Sequence, residues 1–536
     1  MAFQTLQEVL GLRQPLNNSL PSLSRGDITY SNQGDFVTRC TTFAAEANIP
    51  KATIYFSEYI PAGTTIPLTD NDPSCFLTEW KVSTDICRVG MSVKTSETSE
   101  MSVEGWLPSD YTGRFLTTTN RGMGGCILYN EVEYGSSLGF ATVGMNSGFN
   151  GTSGSPMLNN PNAIEDYAYR SAHTGTVVGK ELARQFYGAP SRKSYYLGCS
   201  SAGRQGFKMA QDFPEHFDGI LAGAPALGIT RLISLGGYLT NLVGSPDSET
   251  FITPEQWEMV YDELLWQCDK LDGSVDGLLE DPDRCQFTPE ALICKKGQSS
   301  GCLTAKQIEV VNKLHRPFYG SDGQMLYPGL QPGVNMNRTQ FYVDGNPSAS
   351  AAEWFRYVVY NDTTWDPRSF TLQDASNALA QNPFNIETWN GDLSAFANRN
   401  GKLLTYHGLQ DFVISSEISQ LYYTHVARTM GLPPSELDAF YRLFIVSGMD
   451  HCSGGDGAWA IGQDGTSSTG KDASGNALMA LVRWVEEGIA PEVLRGAKLA
   501  QDGVTPEYYR AHCKWPKKNR YIGPGLAKEE TSWICD

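Results

Sequence analysis

The stretch at residues 194–206 constrains the fold of this chain more than any other. Residues 195–197 are rich in β-forming side chains, small residues follow, and 204–212 has the pattern of a helix. This predicts a strand, a tight turn and a helix, with Ser200 at the apex. A serine at such an apex has strained backbone angles and needs small neighbours two residues away on each side, which Gly198 and Ala202 provide. We therefore predict that Ser200 is a nucleophile; the alternative is a serine in an ordinary strand-to-helix turn.

A second serine matches the Gly-x-Ser-x-Gly pattern letter for letter but lacks this context. Ser299 lies at the centre of residues 297–301, in a polar segment between Cys294 and Cys302, with no strand before it and no helix after it. Ala202 stands where the last glycine of the pattern would follow Ser200. Context nevertheless favours Ser200, because the chemistry depends on the strand, turn and helix rather than on the letters.

The charge balance excludes two classes of partner. The 536 residues include 41 Lys and Arg against 59 Asp and Glu, and the net charge of −18 would repel nucleic acid and anionic membranes. The sequence also has no apolar run of the roughly 18 residues that a membrane span needs. We therefore expect neither nucleic acid nor a membrane as a partner.

Cysteine usage and glycosylation motifs predict a secreted, extracellular protein. Twelve cysteines without a Cys-x-x-Cys pair, beside only seven histidines, favour disulfides over zinc sites. Asn17, Asn150, Asn337 and Asn361 each begin an N-glycosylation motif. The N-terminus shows no signal peptide, so we infer that the numbering starts near a mature terminus, with a signal removed or replaced by Met1.

Strands and helices alternate around Ser200 and again near the C-terminus. The predicted strands on this pattern lie at 114–119, 140–145, 217–223, 401–406 and 443–446. Such alternation predicts an α/β protein with a mostly parallel sheet that is covered on both faces. Between the third and fourth of these strands the rhythm changes to Trp-rich and Tyr-rich helical segments with glycine and proline loops. We therefore predict a first catalytic segment at 1–225, an inserted domain at 226–391 and a second catalytic segment at 392–536.

The partners of Ser200 are predicted from their order and placement. A neutral serine needs a histidine base, and the histidine needs a carboxylate to fix its tautomer. On a sheet of this type the acid and then the histidine follow the serine along the chain, each in a loop after a later strand. Asp411 follows the strand at 401–406 and His451 follows the strand at 443–446. We predict Ser200, Asp411 and His451 as nucleophile, acid and base.

Other residues compete for these roles. Asp450 adjoins His451, but neighbouring side chains seldom fold back onto each other. His407 fits a packed residue at a strand end, and His173 and His425 lie in helical segments and are interpreted as structural. Without Ser200, His451 itself would be read as a histidine in a solvated loop.

Cys199 precedes the predicted nucleophile and Cys452 follows the predicted base. A disulfide between them would hold the serine loop and the histidine loop together where the proton is transferred. The alternative is that each pairs elsewhere, because sequence alone does not decide among the possible pairings of twelve cysteines.

An acidic loop at 268–281 is a candidate calcium site. Asp269, Asp272 and Asp276 would supply side-chain oxygens, and Ser274 and Leu278 would supply backbone oxygens, as hard oxygen ligands on a tightly turning loop. The spacing is not that of an EF-hand. The alternative is a solvated acidic loop without a metal.

The motif Gly198-Cys199-Ser200-x-x-Gly203, together with Asp411 and the His451-Cys452 pair, resembles the tannase and feruloyl esterase family of secreted esterases. The resemblance runs from about Cys40 to the C-terminus and includes segments 164–166, 269–278 and 354–357. It implies an α/β-hydrolase fold with a large inserted lid domain, a structural calcium in the lid, and the roles already given to the three catalytic candidates.

The resemblance also implies six disulfides and an oxyanion hole. The implied pairs are Cys199 with Cys452, Cys40 with Cys87, Cys75 with Cys126, Cys268 with Cys285, Cys294 with Cys302, and Cys513 with Cys535. The backbone N–H of Ser201 is the expected first oxyanion donor, since it follows the nucleophile. Gly122 lies in a segment that resembles the family's glycine-rich oxyanion turn, although Arg121 stands where a glycine is expected.

The resemblance implies an ester hydrolase that forms an acyl-enzyme on a small phenolic ester. The overall pattern is closer to feruloyl esterases than to tannases, so the expected substrates are esters of ferulic, caffeic or p-coumaric acid, possibly attached to plant cell-wall sugars. The alternatives are a tannase acting on gallate esters, another phenolic-ester hydrolase such as a chlorogenate esterase, and a non-enzymatic secreted binding glycoprotein on the same fold. The sequence makes no prediction of oligomeric state.

Substrate choice is expected to lie in the lid. The aromatic candidates for contact with the substrate are Trp354, Phe355, Tyr357 and Tyr360. Their alternative role is to form the hydrophobic core of the lid.

Overall fold

The computed structural model describes residues 33–69, 71–338, 342–467, 470–523 and 525–536. The glycosylation motif at Asn17 and the N-terminal segment considered above lie outside these residues, as does Thr339 of the Asn337 motif. Asn150, Asn337 and Asn361 are all exposed. Within the described ranges, no helix is both long enough and apolar enough to cross a bilayer.

A nine-stranded sheet forms the centre of the molecule, and smaller two-stranded sheets surround it. The strands are β1 (Ala52–Ile60), β2 (Thr65–Pro67), β3 (Glu79–Lys81), β4 (Ile86–Lys94), β5 (Glu100–Pro108), β6 (Arg114–Thr118), β7 (Phe140–Met145), β8 (Lys193–Cys199), β9 (Gly219–Gly223), β10 (Phe318–Tyr319), β11 (Met325–Tyr327), β12 (Lys402–Gly408), β13 (Tyr441–Val446), β14 (Val493–Leu499), β15 (Pro506–Cys513), β16 (Asn519–Tyr521) and β17 (Trp533–Cys535).

At least one helix separates consecutive strands from β6 to β9 and from β12 to β13. The helices are α1 (Gln33–Glu46), α2 (Tyr129–Ser137), α3 (Pro161–Glu165), α4 (Ser171–Tyr187), α5 (Ser201–Asp212), α6 (Ile229–Val243), α7 (Pro254–Cys268), α8 (Ala305–Leu314), α9 (Ala349–Trp354), α10 (Leu372–Gln381), α11 (Ser394–Asn398), α12 (Glu417–Met430), α13 (Pro434–Leu437) and α14 (Ala477–Glu487).

The central sheet has the order β1-β4-β5-β7-β6-β8-β9-β12-β13. Pairing is antiparallel from β1 to β7 and parallel from β7 to β13. The parallel part places the carboxyl ends of β6, β8, β12 and β13 at one edge of the sheet. Side chains just after these strands therefore meet there, as is usual for open α/β sheets.

Both faces of the parallel strands are buried. Along β8, Tyr196 packs in a cluster that includes Phe207 of α5, whereas its neighbours Tyr195 and Leu197 pack in a different cluster with Leu478 of α14. Because successive strand side chains point to opposite faces, this alternation shows helices on both sides of the sheet. The family-implied α/β-hydrolase architecture matches this arrangement.

The segment between β9 and β12 is mainly helical, and its apolar side chains join the same core cluster as Tyr196 of β8 and Phe207 of α5. Its helix α7 begins with a capping box, in which Thr253 and Gln256 exchange hydrogen bonds across the first turn and Pro254 takes the first helical position. Trp257 and Val260 of this helix pack into the same large cluster as Trp354 and Phe355. This segment lies over the site described next and supplies part of its wall.

Six disulfides pair all twelve cysteines, in the pairs that the resemblance implies. Their sequence separations range from 8 residues for Cys294 with Cys302 to 253 for Cys199 with Cys452. The last of these joins two loops at the carboxyl edge of the sheet.

Candidate active site

Ser200 occupies a strained turn between β8 and α5. Its φ of 63° and ψ of −122° are unusual for a residue with a side chain and persist because the surroundings fix them. The Ser200 N–H donates to the Gly223 carbonyl at 3.0 Å. A Cβ on Gly198 would lie 2.7 Å from the Ala202 Cβ, and one on Gly203 would lie 2.5 Å from the Gly223 oxygen. Small residues are therefore required on both sides of Ser200, as the sequence predicts.

Asp411 is a buried carboxylate whose oxygens are fully used. Oδ1 accepts the N–H groups of Val413 at 2.8 Å and Ile414 at 2.9 Å. Oδ2 accepts from His451 Nδ1 at 2.8 Å. Burial alone would raise the pKa of Asp411, but the positive charge that His451 carries when protonated, together with the hydrogen bonds from His407 and His451, holds that pKa well below its usual range. Asp411 is therefore an ionised acceptor.

His451 has the tautomer that a general base needs. A carboxylate accepts but does not donate, so His451 Nδ1 carries the proton shared with Asp411, and Nε2 of the neutral ring is left to accept one. His451 and Ser200 line the same pocket. Among the described residues no hydrogen bond joins the Ser200 hydroxyl to His451, and such bonds often tighten only when substrate binds.

The alternative acid faces away from the base. Asp450 lies 3.4 Å from the guanidinium of Arg338, which also pairs with Asp456. Burial raises the pKa of Asp450 to about 6, although Arg338 counteracts the rise. The structure thus brings Asp411, and not Asp450, to His451.

His407 is part of this site, although the sequence indicated only a packed residue. It is fully buried at the end of β12, with Nε2 3.2 Å from Asp411 Oδ2 and 3.0 Å from the Ile414 carbonyl. Both neighbours are acceptors, so Nε2 carries the proton, and Nδ1 accepts from the Ser419 hydroxyl at 2.8 Å. His407 therefore donates to the same Asp411 oxygen as His451 does and helps to hold it in place. The sequence signal that could have revealed this contact is the position of His407 four residues before Asp411.

The bond between Cys199 and Cys452 lies directly beside the reacting groups. The two sulfurs and a ring nitrogen of His451 all lie within 4.8 Å of one another. Because the sulfurs are bonded to each other, this group is not a metal site. The bond ties the residue before Ser200 to the residue after His451.

We predict that replacing both Cys199 and Cys452 by alanine lowers kcat about 10- to 100-fold while changing KM much less, because displacement of the base relative to the nucleophile affects the reaction more than binding. The matched control replaces Cys294 and Cys302, which close an 8-residue separation in the helical segment. Steady-state kinetics of both double variants measure the effect. An unchanged kcat in the first variant would contradict a positioning role for the bond.

The expected oxyanion donors, Ser201 and Gly122, both line the pocket that contains Ser200. Ser201 is the first residue of α5, where backbone N–H groups have no partner within the helix. Gly122 follows β6 with a φ of +63°, a value that favours glycine. Tyr167 connects the two: its hydroxyl donates to the Gly122 carbonyl at 2.9 Å and lies 3.3 Å from the Ser201 hydroxyl. Tyr167 comes from a π-helical turn, Asp166–Arg170, that the sequence did not reveal.

Arg121 does not fill the turn in which a glycine was expected. Its guanidinium pairs with the buried carboxylate of Glu131 on α2. The side chain is thereby anchored away from the peptide of Gly122. The departure from the family pattern is accommodated by this ion pair.

Ser200 and His451 open into a pocket of about 520 Å³. Its apolar walls include Met123, Ile229, Leu232, Ile233, Val413 and Ile414. Ser153 and Glu353 add polar groups to the same lining. A mostly apolar pocket with a few placed polar groups suits a small aromatic acyl group.

The four aromatic residues predicted to contact the substrate do not line this pocket. Trp354 and Phe355 are fully buried in the core, and Tyr357 and Tyr360 pack partly buried against the same cluster. Phe355 stacks on Trp365 with ring centroids 5.0 Å apart. These residues have the alternative role considered above, the core of the lid, because their side chains face the neighbouring helices rather than Ser200.

The acidic loop contains the predicted oxygen donors, and some of them accept hydrogen bonds from the backbone of the same loop. Asp269 accepts the N–H of Gly277, and Asp272 accepts the N–H of Ser274 at 3.0 Å. Burial raises the pKa of Asp269, and burial together with neighbouring acidic groups raises that of Asp272 to about 6. Asp276 Oδ1 is buried without a hydrogen-bond partner. Among the described residues, the three carboxylates do not converge to within 4.8 Å of one another.

One arginine from the C-terminal hairpin enters this loop. Arg510 of β15 pairs with Asp276 at 2.9 Å and with the buried Glu280 at 2.5 Å. Together with Lys270 in the loop and Lys518, which pairs with Asp281, it supplies three positive charges against five carboxylates, those of Asp269, Asp272, Asp276, Glu280 and Asp281, so the loop retains excess negative charge. Hard oxygen donors, the unpartnered Asp276 oxygen and this excess charge together fit a divalent cation such as Ca²⁺.

Comparisons with known proteins identify the relatives of this chain. A family model described as tannase and feruloyl esterase matches residues 86–536. A probable feruloyl esterase B-2 of Aspergillus terreus is 49% identical over 523 residues, which cover 97% of this chain and 99% of the relative. The crystal structure of feruloyl esterase B from Aspergillus oryzae has 48% identity and a TM-score of 0.91, and covers 94% of this chain and 100% of that chain. Tannin acyl hydrolase from Aspergillus niger shares the fold, with a TM-score of 0.73 at 21% identity over 93% of this chain and 95% of that chain.

Proposed function

Because this chain belongs to the tannase and feruloyl esterase family, it is a carboxylic ester hydrolase, and we propose that it cleaves hydroxycinnamate esters through an acyl-enzyme on Ser200. The observation that carries the catalytic assignment is the 2.8 Å contact between His451 Nδ1 and a buried, ionised Asp411, in a pocket shared with the strained Ser200. A non-enzymatic glycoprotein is excluded as the function by the family membership.

In the first half of the reaction His451 Nε2 takes the Ser200 proton as Oγ attacks the ester carbonyl. The N–H groups of Ser201 and Gly122 receive the developing oxyanion. Collapse of the tetrahedral intermediate expels the alcohol, which takes its proton from His451, and leaves the acyl group on Ser200. Asp411 stays ionised throughout, because its pKa is held well below its usual range, and it stabilises the imidazolium.

In the second half a water molecule attacks the acyl-enzyme. His451 removes the water proton, the same two N–H groups stabilise the second oxyanion, and the proton returns to Ser200 as the acid leaves. The products are a hydroxycinnamic acid and the alcohol.

The pocket favours a cinnamate over a gallate. Most of its walls are apolar, which suits the carbon–carbon double bond and ring of a cinnamoyl group. A gallate ring carries three hydroxyls and attaches directly to the carbonyl, so it would bring polar groups against these walls at a cost in desolvation. The likeness to the tannin acyl hydrolase is at the level of the fold.

Hydrolysis rates on methyl ferulate, methyl caffeate, methyl p-coumarate and methyl gallate test this proposal. The cinnamate esters are expected to be cleaved rapidly and the gallate slowly. A preference for gallate would move the assignment to tannase with the same chemistry, and no hydrolysis of any of the four would contradict it.

We further propose that the lid loop holds a structural Ca²⁺ through carboxylates of Asp269, Asp272 and Asp276 and the carbonyls of Ser274 and Leu278. The ion would neutralise buried carboxylates and takes no part in ester cleavage. We predict about one Ca²⁺ per chain after exhaustive dialysis, and a Tm that falls on adding a chelator and recovers with Ca²⁺. Metal analysis and thermal unfolding measure this; a folded, active sample without metal would contradict the proposal.

We also propose that the protein is secreted and acts on phenolic esters attached to plant cell-wall sugars. Six disulfides and no free cysteine among the described residues support an oxidising compartment. The exposed Asn150 and Asn361 are accessible to glycosylation. Expression in a fungal host with both culture medium and cells assayed would locate the protein, and retention in the cells would contradict secretion.

A further inference from the structure

One carboxylate lines the pocket without belonging to the catalytic group. Glu353 lies on α9, in the helical segment, and its side chain reaches the loop that follows β7. Oε1 accepts the Ser153 hydroxyl at 2.7 Å, and Oε2 accepts the Gly154 N–H at 2.8 Å. The position of this carboxylate is therefore fixed by α9, which carries it, and by the loop at Ser153 and Gly154, which precedes it by 200 and 199 residues.

Glu353 differs from the other acidic groups nearby. Asp411 accepts four hydrogen bonds and has no capacity left. Glu131 is neutralised by Arg121, the arginine that lines the same pocket. Among the ion pairs of the described residues, none involves Glu353. A carboxylate offers about four lone-pair positions, so two remain open after Ser153 and Gly154 are satisfied.

The position of Glu353 relative to the reacting atoms follows from two neighbours. A Cβ placed on Gly154 would lie 2.9 Å from the terminal methyl of Met123 and 3.4 Å from Glu353 Oε2, so both groups lie next to Gly154. Met123 directly follows Gly122 of the oxyanion turn. The Met123 side chain therefore extends from that turn to the neighbourhood of Gly154, and Glu353 lines the same largely apolar pocket as Ser200.

This arrangement matches a molecule with an ester carbonyl at one end, an apolar middle and a hydrogen-bond donor at the other end. We propose that Glu353 accepts a hydrogen bond from the ring hydroxyl of the bound acyl group, and thereby selects hydroxylated over unsubstituted or fully methoxylated cinnamates. The inference rests on the proposed function, since it assigns a residue to the acid part of the same ester. A hydroxyl bonded to a carboxylate makes a short, charge-assisted hydrogen bond.

Binding of an ester without the hydroxyl would remove water from Glu353 without supplying a hydrogen-bond donor in its place. Sites built to hydrogen-bond a hydroxyl reject analogues that lack it more strongly than apolar pockets reject size differences. Because the pocket is open to solvent and water can reach Glu353, we expect discrimination of about 10- to 100-fold in kcat/KM rather than the largest values known.

A purely structural role for Glu353 has a different signature. If it only held the loop at Ser153 and Gly154, its replacement would affect all esters equally. Glu353→Gln keeps the shape and retains one oxygen for the Gly154 N–H, but removes the charge. The comparison of substrates within one variant therefore separates recognition from loop support.

The experiment measures kcat/KM of wild type, Glu353→Gln and Glu353→Ala on methyl p-coumarate, methyl 4-methoxycinnamate and methyl cinnamate. For wild type we expect p-coumarate to exceed the other two esters by about 10- to 100-fold. In Glu353→Gln we expect p-coumarate to lose about tenfold or more while methyl cinnamate changes by less than about threefold. In Glu353→Ala, which also removes the bonds to Ser153 and Gly154, we expect p-coumarate to lose about tenfold more than methyl cinnamate does.

Equal losses on all three esters, or no loss on p-coumarate, would overturn the assignment of Glu353 while leaving the esterase itself intact. Failure of the proposed function has a separate signature: wild type would then cleave none of the three cinnamate esters, including the one without a hydroxyl.

Discussion

Ser200→Ala is expected to lower kcat on methyl ferulate by about 10⁴-fold or more, with the protein folded and the Tm close to that of wild type. The substitution removes the only atom that forms the acyl bond, and the residual rate comes from the oxyanion donors and binding. Ser200 already has strained backbone angles. Alanine would adopt the same angles, so the substitution adds no new backbone strain. Progress curves at high enzyme concentration measure the residual rate.

Ser299→Ala is the matched control for this prediction. Ser299 sits at the centre of a perfect Gly-x-Ser-x-Gly pattern but is exposed in the loop closed by Cys294 and Cys302. Its replacement is expected to leave kcat unchanged. Near-normal activity of Ser200→Ala, or loss of activity in Ser299→Ala, would contradict the assignment of the nucleophile.

Asp411→Asn is expected to lower kcat by about 10⁴-fold with little change in KM. The amide oxygen would face the N–H groups of Val413 and Ile414, as Asp411 Oδ1 does. The NH₂ group would then face His451 Nδ1 and His407 Nε2, both of which are donors in the wild type. To avoid opposing donors, His451 would move its proton to Nε2 and lose the ability to take a proton from the nucleophile.

Asp450→Asn provides the comparison at the adjacent position. Asp450 faces Arg338 rather than His451, so its replacement is expected to change kcat by less than about threefold. Steady-state kinetics on methyl ferulate measure both variants. A large loss in Asp450→Asn together with near-normal Asp411→Asn would reverse the identity of the acid.

The pH dependence of stability gives Asp411 a second readout. Its folded-state pKa lies below the ordinary value, so its ionised form stabilises the fold above about pH 4, and this contribution is lost as the pH falls toward the depressed pKa. The difference in free energy of unfolding between wild type and Asp411→Asn should therefore shrink as the pH falls below about 4. Urea unfolding at several pH values measures that difference.

The grouping of the three candidate catalytic residues could be predicted because each follows a strand with a strong local signal. Ser200 follows β8, Asp411 follows β12 and His451 follows β13. Parallel strands place the residues after their carboxyl ends at one edge, so the order of Ser200, Asp411 and His451 along the chain was sufficient. The strained backbone of Ser200 could likewise be predicted from the small residues on both sides of it.

The pocket could not be predicted, because its walls come from segments far apart in the chain. Trp354 and Glu353 are adjacent in sequence, yet one is core and the other lines the pocket, since helical neighbours point in different directions. The aromatic content of this segment favoured the prediction that Trp354 and its neighbours contact the substrate. The rotation of α9 that decides between them depends on packing against α6 and on the π-helical turn Phe355–Val359.

Two further partners could not be predicted from local patterns. His407 has the sequence context of a strand-end residue, and only the turn back to Asp411 reveals its contact. Arg510 lies more than 200 residues after the acidic loop it enters. Local patterns indicate which residues carry the chemistry, whereas the groups that orient them are brought by tertiary structure.

The most direct test of the central claim is to react the protein with a fluorophosphonate and locate the label by peptide mass spectrometry while following activity on methyl ferulate. We predict one label per chain, on Ser200, with activity lost in proportion to labelling and no label in Ser200→Ala. Loss of activity with the label on another residue, or full activity in protein labelled at Ser200, would contradict the acyl-enzyme on this serine.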